Sequence, residues 1–271
     1  IADDEFFTAI EIKRVDNPSI REKLKKILEV AKLDIVLCGQ PYLLGGKLNL
    51  NSEDTAEREK AIEDVRKSID EAEFFGSHLV VILSGPDPVS KEKRKIQKEI
   101  LADSCKTLCD YASKKGITIS LENFDRRWDK KCMIGPTNEA AELASTVKAK
   151  NFGLTVDLSH LPLLDETSGQ ALRAAAYHLV HTHMGNAIMK NPKQVGYGDQ
   201  HPRFEIEGGE NGVPEVIDFI ANLKKIGYFE KKVPTRMPII SFEVKPLPGE
   251  KSEEVIANAK RVFLKALAEI N

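Results

Sequence analysis

The chain has 271 residues, 41% of them hydrophobic, and sets 40 Lys and Arg against 42 Asp and Glu for a net charge of −2. That balance gives no strong field to draw the whole molecule to nucleic acid or to a membrane surface, and no apolar run of about 18 residues suits a spanning helix. Cys38, Cys105, Cys109 and Cys132 form no CxxC and no dense framework, so they read as free thiols of a reducing, cytoplasmic compartment. No secretory leader is visible, although the chain opens on Ile1 rather than Met.

Strand and helix patterns alternate without a break in composition, which predicts a single domain over residues 1–271. Thr8–Lys13 reads as a strand, followed by a helix from Pro18 to Lys32 with Ile20, Leu24, Ile27, Leu28 and Ala31 at helical spacing. Leu33–Cys38 is the next strand, and a Gly- and Pro-containing loop leads to a helix from Asp54 to Phe75 that stops at Gly76. His78–Leu83, a helix over Glu92–Lys115, Ile117–Glu122, a helix over Pro136–Lys148 and Gly153–Asp157 follow. A short helix at Gly169–Ala176, the strand Leu179–His183, a long loop to Gly212 and a helix over Pro214–Ile226 come next. Ile239–Glu243 and a helix over Ser252–Ile270 complete the chain. Strands alternating with helices imply parallel connections. A doubly wound sheet would want a Gly-rich phosphate loop after its first strand, and none is present. The α/β class is therefore read as a (β/α)8 TIM barrel, with a first strand outside the given chain.

Four of these strands end on a potential metal ligand: Glu122, Asp157, His183 and Glu243. Side chains alternate across a strand, so the face of Glu122 also carries Ser120 and Thr118, against Ile117, Ile119 and Leu121. Asp157 shares its side with Thr155, and Glu243 with Ser241; His183 lies on the face of His181. One strand-end carboxylate is commonly paired with Lys or Arg. Four ligand-type ends in succession are costly to bring together without a cation. Three carboxylates and one imidazole suit Mn²⁺ first, with Mg²⁺, Co²⁺ or Zn²⁺ as other candidates.

The ENF of residues 122–124, the DLSH of 157–160, the HTH of 181–183 and the FEVKP of 242–246 resemble the xylose isomerase-like barrels. Ketose 3-epimerases, hydroxypyruvate isomerases, inosose dehydratases and abasic-site nucleases of the endonuclease IV type belong to that superfamily. The resemblance implies a divalent-metal-dependent sugar isomerase or epimerase. Glu122, Asp157, His183 and Glu243 would hold one cation, and Glu122 and Glu243 would exchange a carbon-bound proton beside a metal-bound carbonyl through an enediolate. His160 would meet substrate or a further metal. The stretches LENFDRRWDKKCMIGPTNEA and YGDQHPRF are similar to a subgroup of sugar phosphate isomerase/epimerase-like chains. Among such barrels are catalytic subunits of C-glycoside deglycosidases, so a 3-oxo-C-glycoside lyase with a small β-rich partner subunit is the alternative activity. A homo-oligomer is the other expected assembly. An abasic-site hydrolase or a non-catalytic sugar binder remains a further reading.

Asp199 and His201 form a DxH pair that, with His160, is similar to the third metal site of the abasic-site nucleases. The histidines of the other half of that nuclease site have no counterpart near Gly39–Gln40 or Leu83–Ser84. Six residues beyond His183, where the ketose 3-epimerases carry a substrate-holding arginine, stands Met189. His160, His181, Asp199, His201, Arg203 and Lys245 are thus the candidate substrate contacts, each weighed against an ordinary structural or solvated role. Trp128, in the loop after the strand that ends at Glu122, is a candidate lid over a sugar. No GKS/T loop is visible, which favours an unphosphorylated small sugar as partner.

Overall fold

The computed structural model describes residues 1–270. Among the described residues, seven strands lie in one sheet in chain order: β1 Ala9–Ile12, β2 Asp34–Cys38, β3 Leu79–Leu83, β4 Thr118–Glu122, β5 Phe152–Asp157, β6 Leu179–Gly185 and β7 Ile240–Glu243. The pairs β1–β2, β2–β3, β5–β6 and β6–β7 are parallel. The connecting helices are α1 Pro18–Ala31, α2 Gln40–Gly45, α3 Thr55–Phe75, α4 Lys91–Ser113, α5 Thr137–Val147, α6 His160–Leu163, α7 Ser168–Ala175, α8 Val213–Lys225 and α9 Ser252–Glu269. Parallel strands with a helix crossing between successive ones are the repeat from which a (β/α) barrel is built.

Two compact units are distinguishable by their internal contacts. The first comprises Ile1–Leu121, Leu143–Gly153 and Lys232–Ile239; the second comprises Glu122–Glu142, Leu154–Lys231 and the chain from Ile240 onward. In the first unit, β3 (LVVIL) is buried at every position. It reads as an unbroken apolar run because a parallel strand covered on both faces has no solvent side to alternate with. The strand β5 is likewise fully buried, whereas β7, in the second unit, is only half-buried.

Helix boundaries follow local chemistry. Asn17 caps α1 by accepting from Ser19 and Ile20 N–H, Asp54 caps α3 through Glu57 N–H, and Ser90 caps α4 through Lys93 N–H. Gly76, at φ 72°, ends α3 in the left-handed conformation that glycine adopts without a Cβ clash.

One expectation is revised. The segment after β2 is not purely loop: Gln40–Gly45 forms α2, with Pro41 in its first turn. In α1 Leu28 is the one buried residue, while Ile20 and Ile27 are 57% and 43% exposed. The helix is anchored through cations. Arg21 pairs with Glu71 at 2.7 Å and stacks 3.3 Å over the Phe74 ring, which Lys25 also covers at 4.4 Å.

Cys105, Cys109 and Cys132 are buried, and burial pushes their thiols up, that of Cys109 to about 12. Cys38 is half-buried. Thiolates are the reactive form, so an aromatic disulfide reagent at pH 8 should titrate at most Cys38 in the native chain and all four thiols in denaturant. A thiol raised on folding lends stability that is complete below its unfolded pKa and is lost as pH climbs through the folded value. The window for Cys109 therefore runs from its ordinary value of 9.0 up to about 12. Rapid native reaction of three or more thiols at pH 8 would contradict this burial.

Candidate metal centre and active site

Within the second unit, Glu122, Asp157 and Glu243 are the last residues of β4, β5 and β7, and His183 lies two residues before the end of β6. Strand register brings them together. Asp157 pairs with His183 across β5–β6, and Gly185 pairs with Glu243 across β6–β7. The strand β6 runs on through Met184 and Gly185, beyond the predicted end at His183, because both residues pair with β7. One ligand atom from each of Glu122, Asp157, His183 and Glu243 falls within 4.8 Å of the others.

The arrangement is electrostatically unfinished. His183 Nδ1 lies 3.1 Å from Glu122 Oε1 and 2.8 Å from Glu243 Oε2, yet one ring nitrogen carries at most one proton. Glu243 Oε2 is buried and makes no hydrogen bond despite that approach. Glu122 is 1% exposed and Asp157 is 1% exposed, and ion-pair partners of these acids include the rings of His160 and His201. Burial raises the Glu122 carboxyl, and His183 offsets part of that. Burial also opposes ionisation of Glu243, but only in part because its side chain keeps 39% exposure. His201 and His183 prevail there and hold it low, at about 2. Carboxylates and an unprotonated imidazole converging on one point are what a divalent cation satisfies, so the donor set fits one. A hard, oxygen-rich set without thiolate is a poor structural zinc site.

Neighbouring groups fix these side chains. The Asp157 carboxylate accepts from Ser159 N–H at 2.8 Å and from Ser159 Oγ at 2.6 Å. Ser159 Oγ is also 3.3 Å from His201 Nδ1. His160 is fully buried at the start of α6, packs on Phe124 at 4.4 Å between ring centroids, and donates from Nδ1 to the Asn123 carbonyl at 2.9 Å. That bond fixes its ring and turns Nε2 toward Asp199 Oδ1, 3.3 Å away. His201 Nε2 is 3.2 Å from the same oxygen. His201 reaches it from a left-handed backbone conformation, φ 49°, a strain of about 1–3 kcal/mol for a residue with a Cβ.

The long segment that carries Asp199 and His201 is held by two buried amides. Asn186 Oδ1 accepts from Ala187 and Asn211 N–H, and its Nδ2 donates to the Arg203 carbonyl. Asn211 Nδ2 donates to the Leu158 and Gly185 carbonyls.

A model of the family described as xylose isomerase-like TIM barrel matches residues 5–264. The chain belongs to that family. Among curated relatives, the L-ribulose-5-phosphate 3-epimerase UlaE of Escherichia coli (strain K12 / DH10B) is 26% identical over 156 residues, 58% of this chain and 53% of the relative. The match thus spans about half the length of that relative. The crystal structure of a D-tagatose 3-epimerase-like protein superposes with a TM-score of 0.74 at 22% identity, over 98% of this chain and 90% of the other. IolI protein with a binding zinc atom gives a TM-score of 0.74 at 19% identity, over 97% and 89%. Both structural likenesses bear on the fold alone, and they agree with the TIM barrel of the matching family.

Against this family frame, the remaining candidates divide. His181 is fully buried and meets His183 edge-on at 4.9 Å. Arg203 is not brought to the cluster: its Nε donates to Glu250 at 2.8 Å. Lys245 is exposed; its backbone N–H donates to the His201 carbonyl at 2.7 Å while its side chain lines a surface cavity with Gln200 and residues 246–250. Trp128 is 39% exposed, and its backbone N–H is bound by Asp125. Ser159, Asn123, Asn211 and Lys130 were not singled out from the sequence, although Ser159 lies inside DLSH, Asn123 inside ENF and Lys130 inside the quoted stretch after it. No described helix is long and apolar enough to cross a membrane.

Proposed function

We propose that this chain is a divalent-metal-dependent sugar epimerase or isomerase that removes and returns a proton on carbon beside a carbonyl. The observation that carries this reading is the pair of glutamates, Glu122 and Glu243, facing one histidine nitrogen at 3.1 and 2.8 Å with Asp157 in the same cluster. Glu122, Asp157, His183 and Glu243 would hold the ion, with Mn²⁺ as the proposed native metal. When bound, a divalent cation supplies Lewis acidity that polarises a carbonyl and stabilises the negative charge developing next to it.

The chain's own groups do the rest. Glu122 and Glu243 come from different strands and serve as proton acceptor and donor, the exchange that inverts or relocates a hydroxyl-bearing carbon. Buried His160 and Asp199 and part-buried His201 form a polar wall suited to substrate hydroxyls, and His181 stands beside His183. Glu122, Asp157 and His183 are almost wholly removed from water, which strengthens each of these interactions and limits loss of the abstracted proton. The name of the curated relative, an epimerase of a sugar phosphate, supports the reaction class and adds phosphorylated ketoses to the substrates worth trying.

The test is hydrogen exchange. Chelator-stripped protein restored with Mn²⁺ should introduce deuterium from D₂O next to the carbonyl of one member of a panel of ketoses, ketose 5-phosphates and 3-oxo-glucosides. Stripped protein should not. Exchange that is unchanged by chelation would overturn the metal-dependent reading, and its absence from every substrate with metal bound would overturn the reaction class.

A further inference from the structure

Asp157 belongs to two groups of ligand-type side chains, one with Glu122, His183 and Glu243 and another with His160 and His201. Asp199 adds a carboxylate to the second group, with Oδ1 3.3 Å from His160 Nε2 and 3.2 Å from His201 Nε2. His160 Nε2 and both Asp199 carboxylate oxygens are buried without a hydrogen bond. Two imidazoles and carboxylates so placed would ordinarily accept a second divalent cation.

A fixed positive charge already occupies this neighbourhood. Lys130 Nζ lies 3.5 Å from Asp199 Oδ2 and donates to the Asp199 carbonyl at 2.8 Å. Its delivery is rigid. Asp125 is fully buried and accepts from the backbone N–H groups of Trp128, Asp129 and Lys130, closing the turn that carries the lysine. Asp129 accepts from Lys130 Nζ at 2.9 Å and from Gln200 Nε2 at 2.8 Å, tying that turn to the segment holding Asp199. The lysine side chain keeps only 20% exposure, so it is not a solvated chain free to swing away.

We propose that the Lys130 ammonium stands in for a second cation beside His160, Asp199 and His201, and so keeps the centre mononuclear. An ammonium held 3.5 Å from the Asp199 carboxylate opposes a divalent ion in the same space, and at low local dielectric that opposition is large. The consequence reaches the choice of chemistry. One Lewis-acidic ion suffices to polarise a carbonyl for proton transfer, whereas clamping both oxygens of a phosphoester displacement is the work of paired ions. Lys130 thereby disfavours a paired-ion site by charge, beside the histidines that Gly39–Gln40 and Leu83–Ser84 do not supply. The inference rests on the reading that the first group holds one cation.

Metal stoichiometry tests both and tells them apart. The full chain is stripped, titrated with Mn²⁺ by calorimetry, and the bound metal counted by elemental analysis and by electron paramagnetic resonance. Wild type should bind one Mn²⁺ per chain. Lys130→Met and Lys130→Gln should bind two, with the second ion held at least about 100-fold more tightly than in wild type and spin-coupled to the first through shared Asp157. Lys130→Arg, which keeps the charge, should still bind one, and Lys130→Met with His201→Gln should fall back to one. Two ions in wild type, or one ion in folded Lys130→Met and Lys130→Gln alike, would overturn the proposal and leave the metal-dependent reading standing. No ion in wild type would remove that reading and this proposal with it.

Discussion

Glu243→Gln is expected to lower metal-dependent proton exchange by about 10²–10⁴-fold at saturating Mn²⁺, the range a positioned acid or base contributes. The amide preserves the size of the side chain and its carbonyl oxygen, but it can neither take up nor return a proton. It also removes the charge that His201 and His183 stabilise when they hold the Glu243 carboxyl at about 2. Glu122→Gln should give a loss of the same order, because the two glutamates flank one imidazole and neither can replace the other. Asp157→Asn separates the roles. Its side chain is held by Ser159 through two hydrogen bonds rather than placed to exchange protons. That variant should weaken Mn²⁺ binding and recover much of its rate at high metal concentration, whereas Glu243→Gln should not. Exchange by Glu243→Gln within about tenfold of wild type would sink its role as an acid–base group.

How much of this site was readable in advance depended on how local the governing contact is. Glu122, Asp157 and Glu243 were legible because each closes a short β-rich run, and alternation within the run predicts which face carries the carboxylate. His183 was legible for the same reason, although β6 continues to Gly185 because pairing with β7 is a tertiary fact that no propensity in LVHTH reports. The apolar spacing of α1 gives the helix but not its contacts, which run through Arg21 and Lys25 on Phe74. A stripe predicts which residues share a face, not what stands opposite it. Lys130 lies in a run of charges common to solvated loops; its partner Asp199 is 69 positions away. Asn211 and Asn186, which hold the long segment by amide bonds to carbonyls, were equally silent, because an Asn in a loop normally serves its own turn.

Gly185→Ala is expected to damage the site from the backbone side. A Cβ at this position would stand 2.7 Å from the Glu243 carbonyl oxygen, 2.9 Å from His201 Nδ1 and 3.1 Å from Ser159 Cβ. The first of these is main chain in a paired strand and cannot yield as a flexible side chain would. Gly185 pairs with Glu243 in the ladder, and its own carbonyl accepts from Asn211 at 2.9 Å, so the strand is pinned on both sides of the intruding methyl. Overpacking of this kind costs about 1–3 kcal/mol of stability. The functional loss should be larger, because displacing reacting groups by about 1 Å can cost on the order of 10²-fold in rate. The methyl would push on the segments of three proposed participants at once: Glu243, His201 and, through Ser159, Asp157. Gly45→Ala is the matching control, since nothing lies within 4 Å of a Cβ built there at the end of α2. It should leave exchange untouched and stability level or higher, by up to about 1 kcal/mol. Thermal melting, Mn²⁺ affinity and exchange rate measured on both variants decide the matter. If Gly185→Ala lowers stability while metal affinity and exchange stay at wild-type levels, the three segments can move without disturbing the chemistry. The close packing around Gly185 would then serve the strand ladder alone.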